Sequence, residues 1–293
     1  MIHIVELLNS SREGINHSAE DMQELDRLIS PLILKGQSIS HIYMSHSNDI
    51  VCSRRTLYKY IDQNEFTARN IDLPRKVKYK LRKNSGTHKP FTRAYRNGRS
   101  YTESSALLRN SANAQVVEMD VVEGQNGGKV LLTLLLYSCS LMRAFLPEDK
   151  TQQHVIGIFN YLTESLGINT FQKLFLVILN DNGSEFQNPW QLECDQFGET
   201  RTKIYYCDPN CSWQKGMIEK NHEYIQYVIP KGKSFDTFSE EDITLLINHI
   251  TALPATALIA VPGMSRLLFD NSLHTELSLQ TIQPDNVMLK PAY

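Results

Sequence analysis

The chain has 293 residues, 41% of them hydrophobic, which is enough for two small domains or for one domain with an extension. A net charge of −2 excludes a uniformly basic protein, so any nucleic-acid function must depend on an uneven charge distribution. Five cysteines, an odd number without a framework spacing, argue against a disulfide-rich secreted fold, and neither a signal peptide nor a membrane span is expected.

Residues 1–73 predict a small all-α domain. The first helix begins after Ser18, which with Asp21 gives a capping-box-like start, and it ends before Gly36. Two short helices follow, at 38–46 and 54–61. Such a pair, with basic and hydroxyl side chains on the second helix, is typical of a helix-turn-helix, although many helical bundles share the pattern. The candidate DNA-contacting side chains are Arg54, Arg55, Thr56 and Lys59.

Residues 74–110 predict a basic linker interleaved with aromatic side chains. Between residues 75 and 99 the chain carries many lysines and arginines and no acid. Cations at this density attract a phosphate backbone, and the plainer alternative is a solvated flexible tether. Both can hold. The candidate phosphate contacts are Arg75, Lys76, Lys78, Lys80, Arg82 and Lys83.

From 111 to 275 the pattern becomes α/β, and residues 276–293 form a tail. Periodicity predicts strands at 116–122, 129–137, 141–146 and 174–179, and helices at 151–166, 212–230 and 240–251. A link at 126–128 rich in Asn and Gly predicts that the first two strands form a hairpin. Residues 187–203 are polar and predict an excursion between elements. Periodicity alone therefore indicates a mixed α/β domain.

Three carboxylates on three elements are candidates for chemistry. Asp181 follows a buried strand, at the end where open α/β sheets place their sites. Asp120 lies on the first strand and shares a face with Glu118, so a swapped role stays open. Spacing alone allows either Glu219 or Glu223 on the later helix. Such carboxylates suit a pair of Mg²⁺ or Mn²⁺ ions, and the plain alternative is ordinary surface acids.

Several motifs together resemble the DDE transposases of the insertion sequence 30 family. The resemblance covers most of the chain between about residues 15 and 291. The motifs that carry it are Glu-x-Asp at 118–120, Asp-Asn-Gly-Ser-Glu-Phe at 181–186, Tyr-Cys-Asp-Pro at 206–209, Ser-Trp-Gln-Lys-Gly at 212–216, Glu219, and Pro-Lys-Gly at 230–232. The resemblance selects Glu219 over Glu223 and leaves Glu118 and Glu185 as acids outside the metal site.

The resemblance implies a ribonuclease H-like catalytic core, a mixed sheet with flanking helices, preceded by the helix-turn-helix domain. It implies a bacterial transposase that cleaves and joins DNA strands with two Mg²⁺ (or Mn²⁺) ions held by Asp120, Asp181 and Glu219. Asn182 and Asn221 would order these ligands. Lys215, Lys231 and Lys233 would face double-stranded DNA at the element ends and the target. The implied protein is a cytoplasmic, nucleoid-associated homo-oligomer without a small-molecule substrate.

Two departures from the family keep a second hypothesis open. Residues 251–264 are rich in Ala, Leu and Pro where the family has a polar segment, and the amino end looks short, as if a further helix-turn-helix region were missing. A truncated remnant that binds DNA, and acts as a repressor without catalysis, would carry the same motifs. A nuclease or resolvase on the same fold, which cleaves without joining, is a third possibility.

Overall fold

A computed structural model of the chain describes residues 17–74, 94–109, 115–125, 127–209, 211–253 and 282–289. The chain divides into two compact units. Met1–Arg82 and Pro284–Tyr293 form the first, called the helical unit, and Lys83–Gln283 form the second, called the core unit.

The helical unit confirms the three helices predicted near the amino end. They are α1 (Ala19–Leu34), α2 (Ile39–Ser45) and α3 (Arg54–Asp62). Each begins at a serine, Ser18, Ser38 or Ser53, whose hydroxyl accepts a backbone N–H from the first turn, and Asp21 completes the expected capping box. Their apolar faces form one buried cluster that includes Ile29, Ile42 and Leu57.

The described part of the carboxyl-terminal tail belongs to the helical unit. The backbone N–H of Leu289 donates to the carbonyl of Lys35 at 3.0 Å, and the side-chain amide of Gln37 donates to the carbonyl of Val287 at 3.0 Å. Val287 and Leu289 are both buried. Residues from the far end of the chain are therefore hydrogen-bonded to the segment just after α1.

The core unit is built on a five-stranded mixed sheet. The strands are β1 (Val116–Glu123), β2 (Val130–Leu136), β3 (Leu141–Phe145), β4 (Val177–Asn180) and β5 (Lys203–Tyr206), in the spatial order β3-β2-β1-β4-β5. β1, β2 and β3 pair antiparallel, whereas β4 is parallel to β1 and β5 is parallel to β4. This order and pairing confirm the predicted ribonuclease H-like fold.

Helices cover the sheet and create its hydrophobic core. They are α4 (Tyr101–Arg109), α5 (Gln152–Leu166), α6 (Ile168–Leu174), α7 (Pro189–Glu193), α8 (Gly216–Val228) and α9 (Glu240–Thr251). Val155 and Phe159 of α5 pack in one cluster with Met119 of β1 and Leu134 of β2. Every residue of β2 is buried, which fits an inner strand covered on both faces.

Two stretches differ from the sequence prediction. Residues 187–203 were expected to be an excursion, yet α7 forms within them, and β5 begins at Lys203. The end of the expected linker contains α4, which packs against β4 and β5. A signal for α4 was present, because Ser100 and Glu103 satisfy each other's backbone N–H groups as a capping box does.

All five cysteines are free thiols. Within the part of the chain that the structure describes, no helix has the length and apolar character needed to cross a bilayer.

Candidate active site

The two predicted aspartates belong to β1 and to the end of β4, which are neighbouring inner strands of the sheet. Glu118 of β1 pairs with Leu179 of β4 in a parallel register. Continuing that register by two residues brings Asp120 opposite Asp181, the residue that follows β4. Adjacent strands lie about 4.8 Å apart, so the two carboxylates can act on one ligand.

The third predicted acid, Glu219, lies in the first turn of α8 and is exposed. The backbone N–H of Ile218 donates to Oε2 of Glu118 at 2.6 Å, which fastens the start of α8 to β1 one residue before Glu219. Partial burial raises the pKa of Glu219, and the charge of Asp120 adds to that rise. Glu219 and Asp120 are therefore within electrostatic reach of each other.

Lys215 lies inside this group of acids, although the sequence suggested a DNA-facing position. Its ammonium is 3.2 Å from Oδ2 of Asp120 and donates to the carbonyl of Met119 at 3.1 Å. The residue is only 4% exposed. Burial raises the pKa of both Glu118 and Glu219, and the charge of Lys215 opposes that rise. Lys215 is thus a buried cation within the acidic site, and nothing in its packing presents it to a DNA surface.

Glu118 is buried beneath the site and is not an ordinary surface acid. Burial raises its pKa to about 7, even though the N–H of Ile218 and the ammonium of Lys215 both stabilise the charged form. Glu219 and Asp120 add to the rise through repulsion. The carboxylates of this site therefore repel one another, and a cation among them relieves that repulsion.

A histidine missed by the sequence analysis borders Asp120. Nε2 of His222 lies 2.8 Å from the hydroxyl of Thr133, which donates to the carbonyl of Asp120 at 3.0 Å. Nδ1 of His222 lies 3.9 Å from Oδ2 of Asp120. Burial lowers the pKa of the imidazole to about 4, so it is neutral at pH 7. The position of His222 three residues after Glu219, on the next turn of α8, was the only available signal.

The loop after β4 holds Asp181 in a tight turn. The backbone N–H of Gly183 donates to Oδ1 of Asp181 at 2.9 Å. The buried carboxylate of Glu185 folds back over this turn, so that a Cβ on Gly183 would lie 2.5 Å from Oε1 of Glu185. Lys150 lies 3.4 Å from the same oxygen. A side chain at position 183 would therefore displace the carboxylate of Glu185 from this turn.

The two asparagines predicted to support the ligands have different environments. Nδ2 of Asn182 donates to the carbonyl of Cys207, the residue after β5, at 3.1 Å. It therefore ties the Asp181 loop to the neighbouring strand end. Nδ2 of Asn221 donates to the carbonyl of Met217 within its own helix at 2.9 Å.

As oriented in the structure, the carboxylates do not form a closed ligand cage. Among the described residues, no group of three or more His, Cys, Asp or Glu side chains is arranged to hold a metal ion. The backbone brings Asp120, Asp181 and α8 together, whereas Lys215 contacts Asp120. The assignment of the three metal ligands therefore stays a prediction.

The predicted DNA-contacting residues of α3 lie on its outer face. Arg54, Arg55 and Lys59 are exposed, and Thr56 is half-buried with its hydroxyl 2.9 Å from that of Ser53. In the core unit, Lys231 and Lys233 are exposed after α8. The predicted phosphate contacts Arg75, Lys76, Lys78, Lys80, Arg82 and Lys83 fall outside the described residues.

The turn that carries Lys233 is fitted against the hairpin between β1 and β2. A Cβ on Gly124 would lie 2.4 Å from the backbone oxygen of Lys233, so only glycine allows this approach. Oδ1 of Asp236 accepts the backbone N–H of Lys129 at 2.8 Å. The Pro-Lys-Gly segment is therefore fixed to the strand that carries Asp120.

A cleft of about 310 Å³ opens beside Glu118. Tyr101 and Trp213 line it, and their rings meet edge to face with centroids 5.7 Å apart. Trp213 is 69% exposed and lies two residues before Lys215. It is one of the two tryptophans of the chain, so its fluorescence can report on the acidic site.

Comparison with known proteins shows homology to transposases. No protein-family model matches the chain. A Streptococcus salivarius protein named "Probable transposase for insertion-like sequence element IS1161" is 26% identical over 227 residues, which cover 75% of this chain and 60% of that protein. The transposase for insertion sequence element IS4351 of Bacteroides fragilis is 30% identical over 83 residues, or 28% of this chain and 24% of its own length.

The chain also resembles a solved structure of the catalytic core domain of BIV integrase. The matched region covers 55% of this chain and 97% of the integrase chain, with 15% sequence identity and a TM-score of 0.34. The fold assignment rests on the strand order and pairing described above. This chain spans 60% of the length of the Streptococcus relative. By sequence, the chain is a homologue of the transposases of bacterial insertion sequences.

Proposed function

We propose that this chain is a transposase of the insertion sequence 30 family, which cleaves DNA at the ends of a mobile element and joins the freed 3′ hydroxyl to target DNA. One observation carries the proposal. Asp120 lies on β1, Asp181 directly follows β4, which is the parallel neighbour of β1, and the N–H of Ile218 bonds Glu118 of β1 one residue before Glu219. The homology to transposases and the motif at 181–186 support the family assignment.

The donor set fits hard divalent cations. Asp120, Asp181 and Glu219 offer oxygen ligands, which prefer Mg²⁺ or Mn²⁺. Burial raises the pKa of Glu118 and of Glu219, and the neighbouring carboxylate of Asp120 adds to both rises. Asp120 and Asp181 would hold two ions, and Glu219 would complete the coordination of one. When bound, such ions activate the attacking water or hydroxyl and stabilise the leaving oxygen of a phosphodiester.

The protein's own part in this mechanism is to fix the acids. The backbone N–H of Val121 donates to Oδ1 of Asp120 at 2.9 Å, which orients that carboxylate. The N–H of Gly183 does the same for Asp181 at 2.9 Å. The bond from Ile218 to Glu118 sets the height of α8 over the sheet and therefore the position of Glu219.

DNA is the proposed partner of both units. The exposed cations of α3 would enter the major groove as a recognition helix does, while Lys231 and Lys233 would contact phosphates near the acids. The basic segment that includes residues 75–83 would add sequence-independent attraction. We place the protein in the bacterial cytoplasm, at the nucleoid, as a homo-oligomer on DNA.

The test compares strand transfer with DNA binding. The purified protein is incubated with Mg²⁺ and DNA that carries the sequences flanking its gene, and products are separated on denaturing gels. Asp120→Asn, Asp181→Asn and Glu219→Gln should each abolish nicking and joining, because each removes a ligand charge. Band shifts with the same DNA should persist, since no substitution touches the DNA-contacting side chains.

Glu223→Gln provides the matched control. Glu223 is exposed on α8 one turn beyond Glu219, and spacing alone left it as a candidate ligand. Its variant should keep full activity. Full activity in any of the three site variants would contradict the ligand assignment. A band shift without nicks or joined products in the wild-type protein would favour the DNA-binding remnant, and cleavage without joining would favour a nuclease.

A further inference from the structure

The ammonium of Lys215 lies among the carboxylates of the acidic site. It touches Oδ2 of Asp120 at 3.2 Å and also bonds the carbonyl of Met119 at 3.1 Å. Glu118 and Glu219 both respond to its charge. One side-chain cation therefore serves three carboxylates of the acidic site.

Burial makes this arrangement costly unless it is compensated. Lys215 is 4% exposed, and removing an ammonium from water is unfavourable unless acceptors replace its hydration. Asp120 and Met119 supply two such acceptors from β1. The ion pair thus stabilises both the lysine and the crowded acids across the contact between β1 and the start of α8.

The chain around Lys215 leaves this side chain a route to the surface. It ends the 3₁₀ turn Ser212–Lys215, in which Ser212 and Trp213 are exposed, and the exposed Gly216 follows it. A lysine has four rotatable side-chain bonds, so its ammonium can leave Asp120 without unfolding α8. The same rearrangement would free Oδ2 of Asp120.

We propose that Lys215 is a built-in counter-cation of the acidic site, which neutralises Asp120 before metal arrives and is displaced when a divalent cation binds there. This inference rests on the proposed function, because it takes Asp120 to be a metal ligand. Lys215 and the metal ion compete for one carboxylate. The ammonium therefore stabilises the metal-free protein and weakens its affinity for Mg²⁺.

A positioning role predicts the opposite effect. If Lys215 only oriented Asp120 for the metal, its removal would weaken Mg²⁺ binding. Competition instead predicts that Lys215→Met, which keeps the unbranched apolar stem of the side chain and removes its charge, tightens Mg²⁺ binding by at least about fivefold, the lower end of typical coupling between sites. Isothermal titration of the full chain with Mg²⁺ alone measures this. Lys220→Met, which removes an exposed charge on α8, the helix that follows Lys215, should leave the affinity unchanged.

Chemical modification of the wild-type protein tests the same inference without a variant that could misfold. Acetylation by a water-soluble N-hydroxysuccinimide ester is followed at each lysine by mass spectrometry. Mg²⁺ should increase the rate at Lys215 relative to Lys220, because displacement exposes the amine. In Asp120→Asn, Lys215 should react readily even without Mg²⁺.

The outcomes separate this inference from the function on which it rests. If Mg²⁺ binds the wild-type protein and Asp120→Asn abolishes binding, the metal site stands. Two results would then overturn only the proposal that Lys215 is a displaceable counter-cation. One is that Lys215 stays protected from acetylation in Mg²⁺, and the other is that Lys215→Met binds Mg²⁺ no more tightly than the wild-type protein. A wild-type protein that binds no Mg²⁺ would overturn both.

Discussion

The buried carboxyl of Glu118 should make the stability of the core unit depend on pH in a defined direction. Its pKa rises from an ordinary value of 4.5 to about 7, mainly through burial. The folded protein then binds more protons than the unfolded chain between these values. Stability is therefore highest below about pH 4.5 as far as this group is concerned, and is lost as pH rises through 7.

The size of the effect follows from the same two values. At about 1.4 kcal/mol for each pH unit between 4.5 and about 7, Glu118 costs the folded state on the order of 3 kcal/mol at pH 8. Glu118→Gln removes the titration and keeps an oxygen that can accept the N–H of Ile218. Relative to wild type, the variant should gain about 2.5 kcal/mol of stability between pH 5 and pH 8, because at pH 5 the unfolded carboxyl is already mostly ionised and part of the cost is present.

The assay is urea denaturation in EDTA at both pH values, followed by tryptophan fluorescence. Trp190 and Trp213 both lie in the core unit, so the signal reports on that unit. His222, whose pKa is lowered to about 4, contributes with the opposite sign, because its stabilisation is lost as pH falls. It is present in both proteins and cancels in the difference. If the difference in unfolding free energy between Glu118→Gln and wild type is the same at pH 5 and pH 8, Glu118 does not have a raised pKa in the folded protein.

Two further substitutions test contacts that hold the site in place. Gly124→Ala should destabilise the core unit by about 1–3 kcal/mol in the same denaturation assay, because its Cβ would meet the backbone oxygen of Lys233 at 2.4 Å. Gly157→Ala, whose Cβ meets nothing within 4 Å, is the control, and equal stability of the two would contradict the close approach. Arg99→Met should cost about 3–5 kcal/mol by leaving the buried carboxylate of Glu193 without its ion pair. Adding Glu193→Gln should recover part of that loss, and no recovery would show that the pair is not the cause.

The sequence predicted the elements that carry a strong apolar period or a clear cap. The helix after Thr151 and the helix from Glu240 to Thr251 appear where periodicity and capping indicated them. β5 was missed because it follows a polar stretch, whereas β4, which is equally short, ends a continuous apolar run. α4 was missed because the cations around it obscured its short apolar pattern.

The candidate site likewise contains positions that the sequence predicts and positions that it does not. The strand-end position of Asp181 follows from a local pattern of apolar residues and turn formers, so the sequence could reveal it. The position of Lys215 could not be predicted, because its ammonium reaches Met119, which is 96 residues away in the chain. The bond between Ile218 and Glu118 spans 100 residues and is likewise invisible to local pattern. Only the folded backbone brings such partners together.

The return of the tail to the helical unit has a consequence for how the protein is made. Val287 and Leu289 are buried, and their segment bonds to Lys35 and Gln37, which are translated about 250 residues earlier. On the ribosome, the first unit to emerge can form these contacts only after the final residues are made, while the core unit can finish packing before them. A premature stop codon after α9 would therefore leave the acids intact and damage the part of the protein encoded at the start of the gene.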